Sequence, residues 1–384
     1  MSEVKDIAEI RKEIDDIDRS LVDLYKKRMA AAAEVAAYKK ENGLPILDAS
    51  RERALLSRVA EMAGEPFADS TLALYTTILA LSRSYQMRLV GGKSAIEEKI
   101  RNALAKTPPM FPERATVACQ GVEGAYSQIA TEKLFPYPAI RYYKTFEDVF
   151  TAVETGECRY GVLPIENSTA GSVSKVYDLM TAHRFSIVRS VRQKIDHNLL
   201  SKPGVALSDI HEIYSHEQAI SQCGAFLSGL PGVTVTAVAN TAVAAKMVAE
   251  SERTDVAALS SRACAMQYGL TALRESVQDQ GNNYTRFICL SKDTEIYPGA
   301  DRTSIMMAVS HRPGSLYQVL ARFYALGVNM TKLESRPIPD RDFEFKFYFD
   351  LDMPIYSPRL IALLSELEKE AEDFRYLGTY HETV

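Results

Sequence analysis

Residues 7–41 read IAEIRKEIDDIDRSLVDLYKKRMAAAAEVAAYKKE, and this stretch decides the architecture of the N-terminal part of the chain. Ile7, Ile10, Ile14, Ile17, Leu21 and Leu24 recur at alternating steps of three and four, a helical stripe of coiled-coil type. The pattern runs to about Glu41, where Asn42-Gly43-Leu44-Pro45 stops it. At ~1.5 Å per residue the helix is roughly 55 Å long, too long for a small monomeric domain to cover, and the expectation is a second chain against it. Asp48 or Ser50 caps a second helix to about Met62, and Asp69 a third to about Leu89. With only two glycines and two prolines, residues 1–90 read as one all-helical domain.

The stripe is interrupted by charge. Four residues past Leu24 stands Arg28, and eleven beyond it Lys39. Eleven steps of ~100° come within ~20° of whole turns, so the two cations point the same way, inward. Periodicity alone leaves two readings: solvated charges on a stripe that has drifted outward, or a cationic pocket for a small anion. The third helix repeats the anomaly, with Ser82 and Gln86 on the face of Tyr75 and Ile78. With Arg11, Arg28, Lys39, Arg51 and Glu52, this set suits a dicarboxylate carrying a hydroxyl and an ether oxygen.

Outward from this region the texture changes. Residues 91–112 form a linker that starts at Gly91-Gly92, continues as a charged helix and ends in a proline-rich break at 107–112. Short apolar strands then alternate with helical stretches over 113–292, with strands at 116–119, 160–163, 212–214, 233–237 and 287–290. That alternation indicates an α/β domain of largely parallel strands, long enough for two lobes and a cleft. Residues 302–381 follow the order βαββαβ, the ferredoxin-like arrangement: a strand at 303–309, a helix at 313–326, paired strands at 327–337 and 341–352, a helix at 358–371 and a strand at 376–381.

Composition narrows the class. At 384 residues the chain holds two or three domains, and 46% hydrophobic with 25% charged residues describes a globular protein. A net charge of −5 argues against nucleic-acid partners. No apolar run is long enough for a membrane span, and the N-terminus has no signal-peptide core. The five cysteines are odd in number and lack a CxxC pair, which suits a reducing cytoplasm. No metal-ligand spacing is present and no cofactor is expected.

Polar clusters in the α/β domain sit where strands hand over to loops or helices, the usual address of a site. They are Gly121-Val-Glu-Gly-Ala-Tyr-Ser127, Leu163-Pro-Ile-Glu-Asn-Ser-Thr-Ala-Gly-Ser172, His197-Asn198, Ser215-His216-Glu217-Gln218-Ala219, Asn240-Thr241-Ala242 and Gly281-Asn-Asn-Tyr-Thr-Arg-Phe287. His197 and His216 read as packed hydrogen-bonders rather than catalysts. In the last domain, His311-Arg-Pro-Gly-Ser-Leu316 opens a helix, whose free N–H groups suit a carboxylate. Glu334-Ser-Arg-Pro337 ends a strand, and Glu334 would balance an α-amino group.

Residues 1–90 resemble the all-helical class of chorismate mutase, through IRKEIDDID, KKRMAAAAEVAAYK, LDASRER and LSRSYQ. The resemblance implies an intertwined dimer in which Arg11 enters the partner's site. It implies that Arg11 and Arg28 hold carboxylates, that Lys39 and Gln86 donate to the ether oxygen, and that Glu52 meets the ring hydroxyl. Asp48, Arg51 and Ser82 would complete the chorismate pocket. Residues 115–292 resemble prephenate dehydratase through EGAYS, PIENSTAGSV, HNLL, YSHEQA, ANTA and NYTRF. That resemblance implies two lobes like those of periplasmic binding proteins, closing on prephenate, with Thr285 as the catalytic hydroxyl. Ser127, Asn167, Ser168 and Arg286 would bind carboxylates or orient loops. Glu166 is either a proton source, if burial keeps it protonated, or a structural hydrogen-bonder.

Residues 302–381 resemble the ACT regulatory domain of the same enzymes. This implies phenylalanine bound at a dimer interface by Gly314, Ser315, Leu316, Asn329, Glu334, Ser335 and Arg336. The expectation is therefore a homo-oligomeric enzyme, dimer or tetramer, in the phenylalanine branch of aromatic biosynthesis. Two alternatives stand beside it: a dehydratase acting on arogenate, and a phenylalanine sensor whose helical module only dimerises.

Overall fold

The computed structural model describes residues 6–90, 94–338, 341 and 344–384. Gly91 and Gly92 lie outside the described residues, as does part of the 341–352 strand expected above. The chain forms two compact units. One comprises Met1–Glu97, Arg312–Leu326 and Ile361–Glu370; the other comprises Glu98–His311, Gly327–Leu360 and Ala371–Val384.

In the first unit the long helix spans Ile7–Glu41 and ends where Asn42 caps it. The second helix, Ala49–Ala63, begins at Asp48, whose carboxylate accepts the Arg51 N–H at 3.0 Å. The third, Ala68–Val90, packs against both, and Asp69 stands inside its first turn rather than at its cap. Ala32 and Ala36 of the long helix are buried, but the stripe before them is not. Ile14, Ile17, Leu21 and Leu24 are 50–61% exposed. The same unit holds Ile361–Glu370 of the helix Pro358–Glu370, where Glu366 accepts a buried hydrogen bond from Ser84. The Ser94 and Ser365 hydroxyls meet at 2.6 Å.

The second unit contains three sheets. In the first, the spatial order is Glu382–Thr383, Ser186–Lys194, Tyr284–Ser291, Tyr160–Asn167, Arg114–Gln120 and Tyr137–Tyr143, with Gly171–Ser172 added beside Tyr160–Asn167. The second runs Thr271–Arg274, Asn198–Ser201, Val256–Ser260, Glu212–Ser215 and Thr234–Ala237. Both sheets are mixed rather than largely parallel, a correction to the sequence expectation. The cause is the path of the chain, which leaves the first sheet through residues 195–197 and returns through 275–283. The returning strand Tyr284–Ser291 therefore runs antiparallel to both of its neighbours, Tyr160–Asn167 and Ser186–Lys194. Two lobes joined by two crossovers result.

The third sheet runs Asn329–Pro337, Phe345–Asp352, Arg302–Ala308 and Glu372–Tyr380, antiparallel throughout. Its Met306, Tyr348 and Leu377 share one core with Phe150, Met180 and Ile288 of the first lobe. The expected helix at 313–326 is Ser315–Ala325; Gly314 takes φ 82° and keeps Pro313 outside the helix.

Candidate active sites

The strand Tyr160–Asn167 and the returning strand Tyr284–Ser291 pair so that Asn167 faces Thr285. Thr285 is 8% exposed and lines a cleft of about 430 Å³. The first lobe contributes Ser127, Asn167, Ser172 and Phe287, and the second contributes His216, Gln218, Asn240 and Thr241. Helices Tyr126–Leu134 and Thr241–Glu250 both begin at this cleft, so their free N–H groups supply partial positive charge. No Lys, Arg, Asp or Glu is among the described residues lining it.

Asn167 organises the centre. Its Oδ1 accepts the Ala170 N–H at 2.8 Å and the Thr169 N–H at 3.1 Å. Its Nδ2 donates to Thr285 Oγ1 at 2.9 Å and to Asn283 Oδ1 at 2.7 Å. Among the described residues the Thr285 hydroxyl hydrogen has no acceptor of its own. It is free to be given to a ligand.

Ser127, Asn167 and Thr285 thus come together, but Glu166, Ser168 and Arg286 do not enter the cleft. Alternation along a strand explains two of them: Glu166 and Arg286 are each one step from a cleft residue and point the other way. Arg286, 4% exposed, pairs with the fully buried Asp350 at 2.5 Å and with Glu166 at 3.1 Å. Lys332 meets the other Glu166 oxygen at 2.8 Å. Burial opposes ionisation of Glu166, but Arg286 and Lys332 outweigh it and hold the carboxyl below its ordinary range. Glu166 is an ion-pair member, not a store of protons. Ser168 accepts the Tyr284 N–H and donates to the Asn282 carbonyl, so it orients the loop.

This charged layer reaches the third sheet. Ser172 donates to Glu334 at 2.6 Å and accepts from Lys332 at 2.8 Å, and Arg336 forms a two-pronged pair with Asp178. Lys332, Asp350 and Asp178 belong to no motif singled out in the sequence. Of the expected effector residues, Gly314, Ser315 and Leu316 lie in the first unit at a helix start, while Asn329, Glu334, Ser335 and Arg336 lie on a strand of the second.

In the helical module the third helix buries Ser82 and Gln86, which hydrogen-bond at 3.2 Å. Gln86 Oε1 is buried without a partner. Lys39 is half-buried and donates to the Ile46 carbonyl at 2.5 Å, and Arg28 is also half-buried. Arg11, Asp48 and Arg51 are exposed. Glu52 receives both its contacts from Arg83, at 2.5 and 2.7 Å. Arg83 went unnoticed in the sequence because it lies between the patterned positions 82 and 86.

Comparison with known proteins identifies the families of the two modules. Residues 10–87 match the family model of chorismate mutase type II, and residues 117–295 that of prephenate dehydratase. The bifunctional chorismate mutase/prephenate dehydratase of Aquifex aeolicus is 30% identical over 98% of both chains. Arogenate dehydratase 2 of Petunia hybrida is 38% identical over 70% of this chain and 72% of its own. Among solved structures, prephenate dehydratase from Arthrobacter aurescens in complex with L-Phe superposes with a TM-score of 0.64 at 28% identity, covering 69% of this chain and 89% of that one. With a helical mutase module and a two-lobed dehydratase module in one polypeptide, the chain belongs to the bifunctional chorismate mutase/prephenate dehydratase family.

Proposed function

We propose that the two modules carry out consecutive reactions on one carbon skeleton, chorismate to prephenate and then prephenate to phenylpyruvate. The rearrangement requires no nucleophile and no proton transfer. It requires the reactive chair to be held, and donors aimed at the oxygen that gains charge as its C–O bond lengthens. Arg11 and Arg28 hold carboxylates, and Lys39 and Gln86 are the donors. Asp48, Arg51, Glu52 and Ser82 close the pocket, with Arg83 steering Glu52.

In the second reaction the ring carboxylate leaves as CO2. Its bonding electrons enter the ring as the C–O bond to the hydroxyl breaks, and the oxygen takes one proton to become water. The observation that carries this reading is the Thr285 hydroxyl, its oxygen engaged by Asn167 and its hydrogen free. A threonine hydroxyl is too weak an acid to be the ultimate proton source, so it stabilises the departing oxygen by hydrogen bonding. Ser127 and the two helix N-termini hold the carboxylates.

Residues 302–381 act as an ACT regulatory domain of ferredoxin-like topology, between a dehydratase domain at 113–292 and the C-terminus. The strand order of the third sheet supports this, as does the L-Phe complex of the Arthrobacter relative. Phenylalanine then inhibits its own synthesis. The uncovered stripe of the first helix supports a homodimer or a larger assembly, each fully buried Ile or Leu contributing roughly 1.5–3 kcal/mol. Five free, buried cysteines suit a reducing cytoplasm.

The test is to supply chorismate alone and follow phenylpyruvate, with and without phenylalanine. Product that falls on adding phenylalanine supports the whole reading. Persistence of chorismate while added prephenate is consumed makes the helical module a silent dimeriser. Failure of both substrates leaves a phenylalanine sensor. The Petunia relative favours one second reading, a dehydratase preferring arogenate, which comparison of kcat/KM for the two substrates decides.

A further inference from the structure

Gln222 lies at the end of the short helix Glu217–Gln222, three residues beyond the YSHEQA segment quoted above. Its side chain joins three others. Gln222 Oε1 accepts from Asn283 Nδ2 at 2.9 Å and lies 3.0 Å from His197 Nε2, while its Nε2 donates to Thr169 Oγ1 at 2.8 Å. Thr169 in turn donates to Asn167 Oδ1 at 2.7 Å. Thr285, Asn167, Asn283, Gln222 and His197 therefore form one continuous hydrogen-bond chain along the cleft, and Asn283 and His197 are each only 2% exposed.

The direction of this chain follows from the backbone. Two main-chain N–H groups, of Thr169 and Ala170, point at one end of the Asn167 amide, so that end is the oxygen and the other is the NH2. Asn283 must then present its oxygen to Asn167 and its NH2 to Gln222. Gln222 must answer with its oxygen. The nitrogen of His197 that meets this oxygen has to carry a hydrogen; in the neutral ring Nδ1 is then bare, and His197 Nδ1 is buried without a partner that would call for a second hydrogen. No amide in the chain can turn over without placing two oxygens or two NH2 groups face to face.

We infer that Gln222 is a positioning residue of the dehydratase: it completes a one-way amide chain that keeps the Thr285 hydrogen directed into the cleft and His197 in its Nε2–H tautomer. The inference rests on the reading of Thr285 given above. Burial lowers the pKa of His197, in keeping with an imidazole held neutral. The titratable and charged groups around it are Asp196, bound by Lys194 and Gln278, and Tyr126, whose ring edge meets the imidazole and whose hydroxyl donates to the Asp196 carbonyl.

The test uses the full chain labelled with 15N-histidine, His197 being assigned by its loss in His197→Gln. Wild-type His197 is expected as the neutral Nε2–H form at pH 7. In Asn283→Asp the group facing Gln222 can only accept, so the Gln222 amide turns over and His197 switches to the Nδ1–H form. Gln222→Glu keeps the acceptor, removes the donor and adds charge beside the ring. Its dehydratase kcat should fall roughly tenfold to a hundredfold with KM within about threefold, and its acid limb should move to higher pH as His197 gains a proton. Mutase activity measured in the same samples confirms folding.

A wild-type His197 that is Nδ1–H or charged, or an Asn283→Asp variant with an unchanged tautomer, overturns the chain. A Gln222→Glu variant with wild-type kcat and pH profile overturns the positioning role. Full dehydratase activity in Thr285→Ala would instead defeat the reading of Thr285, and the tautomer result stands apart from it.

Discussion

The two proposed sites would receive isomers, both doubly anionic, and they differ in formal charge. The helical module offers arginines and a lysine, whereas the dehydratase cleft shows no charged side chain among its described lining residues, only amides, hydroxyls and helix N-termini. The difference follows from what becomes of the charge. In the rearrangement both carboxylates survive, so cations that grip them hold the reactive geometry without opposing the reaction. In the dehydratase the ring carboxylate must become neutral CO2. A salt bridge to it would stabilise the ground state more than the transition state and slow its departure.

The largest effect expected of any single substitution is at Thr285. Thr285→Ala should lower dehydratase kcat by ~10²–10³-fold, the size seen when a donor to developing oxygen charge is lost. The same preparation should convert chorismate to prephenate at the wild-type rate, so accumulation of prephenate is the signature. Near-normal phenylpyruvate formation would remove Thr285 from the chemistry. The mirror-image substitution is Lys39→Ala, which should reduce mutase kcat by ~10²-fold and leave turnover of added prephenate unchanged. If its kcat holds, the cationic half of the comparison fails.

Much of this contrast was legible in the sequence because periodicity reports directions within one element. Arg28 and Lys39 stand eleven residues apart on one helix, and Ser82 and Gln86 four apart on another, so the common face of each pair needed no tertiary information, whereas the choice between a pocket and a solvated face did. The dehydratase cleft is assembled from segments as distant as Ser127, Asn167, His216, Asn240 and Thr285, and only motif resemblance brought them together. What stayed hidden was the second partner of each strand. Glu166 and Arg286 read as site residues because they sit beside Asn167 and Thr285, yet strand alternation turns them toward Asp350 and Lys332 on a sheet more than forty residues further along. The antiparallel return of Tyr284–Ser291 was equally illegible, since direction within a sheet depends on the crossover between lobes.

The buried ion-pair layer gives the neutral cleft a charged neighbour, and that sharpens the comparison. Lys332 touches Glu166, Ser172 and Glu334 together, so it ties the loop that carries Asn167 to the strand expected to sense phenylalanine. Lys332→Met should weaken inhibition by phenylalanine by roughly fivefold or more, within the usual range of coupling energies. Its uninhibited kcat should change far less, because Lys332 does not reach the cleft. An unaltered inhibition constant would place the coupling elsewhere.

The smallest expected effect concerns stability rather than turnover. The Glu166 carboxyl is held below its ordinary range in the folded protein, so between that folded value and ~4.5 the unfolded chain binds the extra proton. Stability drawn from Glu166 is therefore fully present above ~4.5 and is lost as pH falls through the folded value. Glu166→Gln removes this titration while preserving size and one hydrogen-bonding oxygen. The variant should melt lower than wild type at pH 7, where Arg286 and Lys332 lose a carboxylate partner, and the gap should narrow as pH drops below ~4.5. Thermal melts at several pH values from 7 to 3 give the comparison directly. A gap that stays constant would mean that Glu166 contributes packing alone, and a gap that widens toward acid would mean that its carboxyl is protonated in the folded state, restoring it as a source of protons.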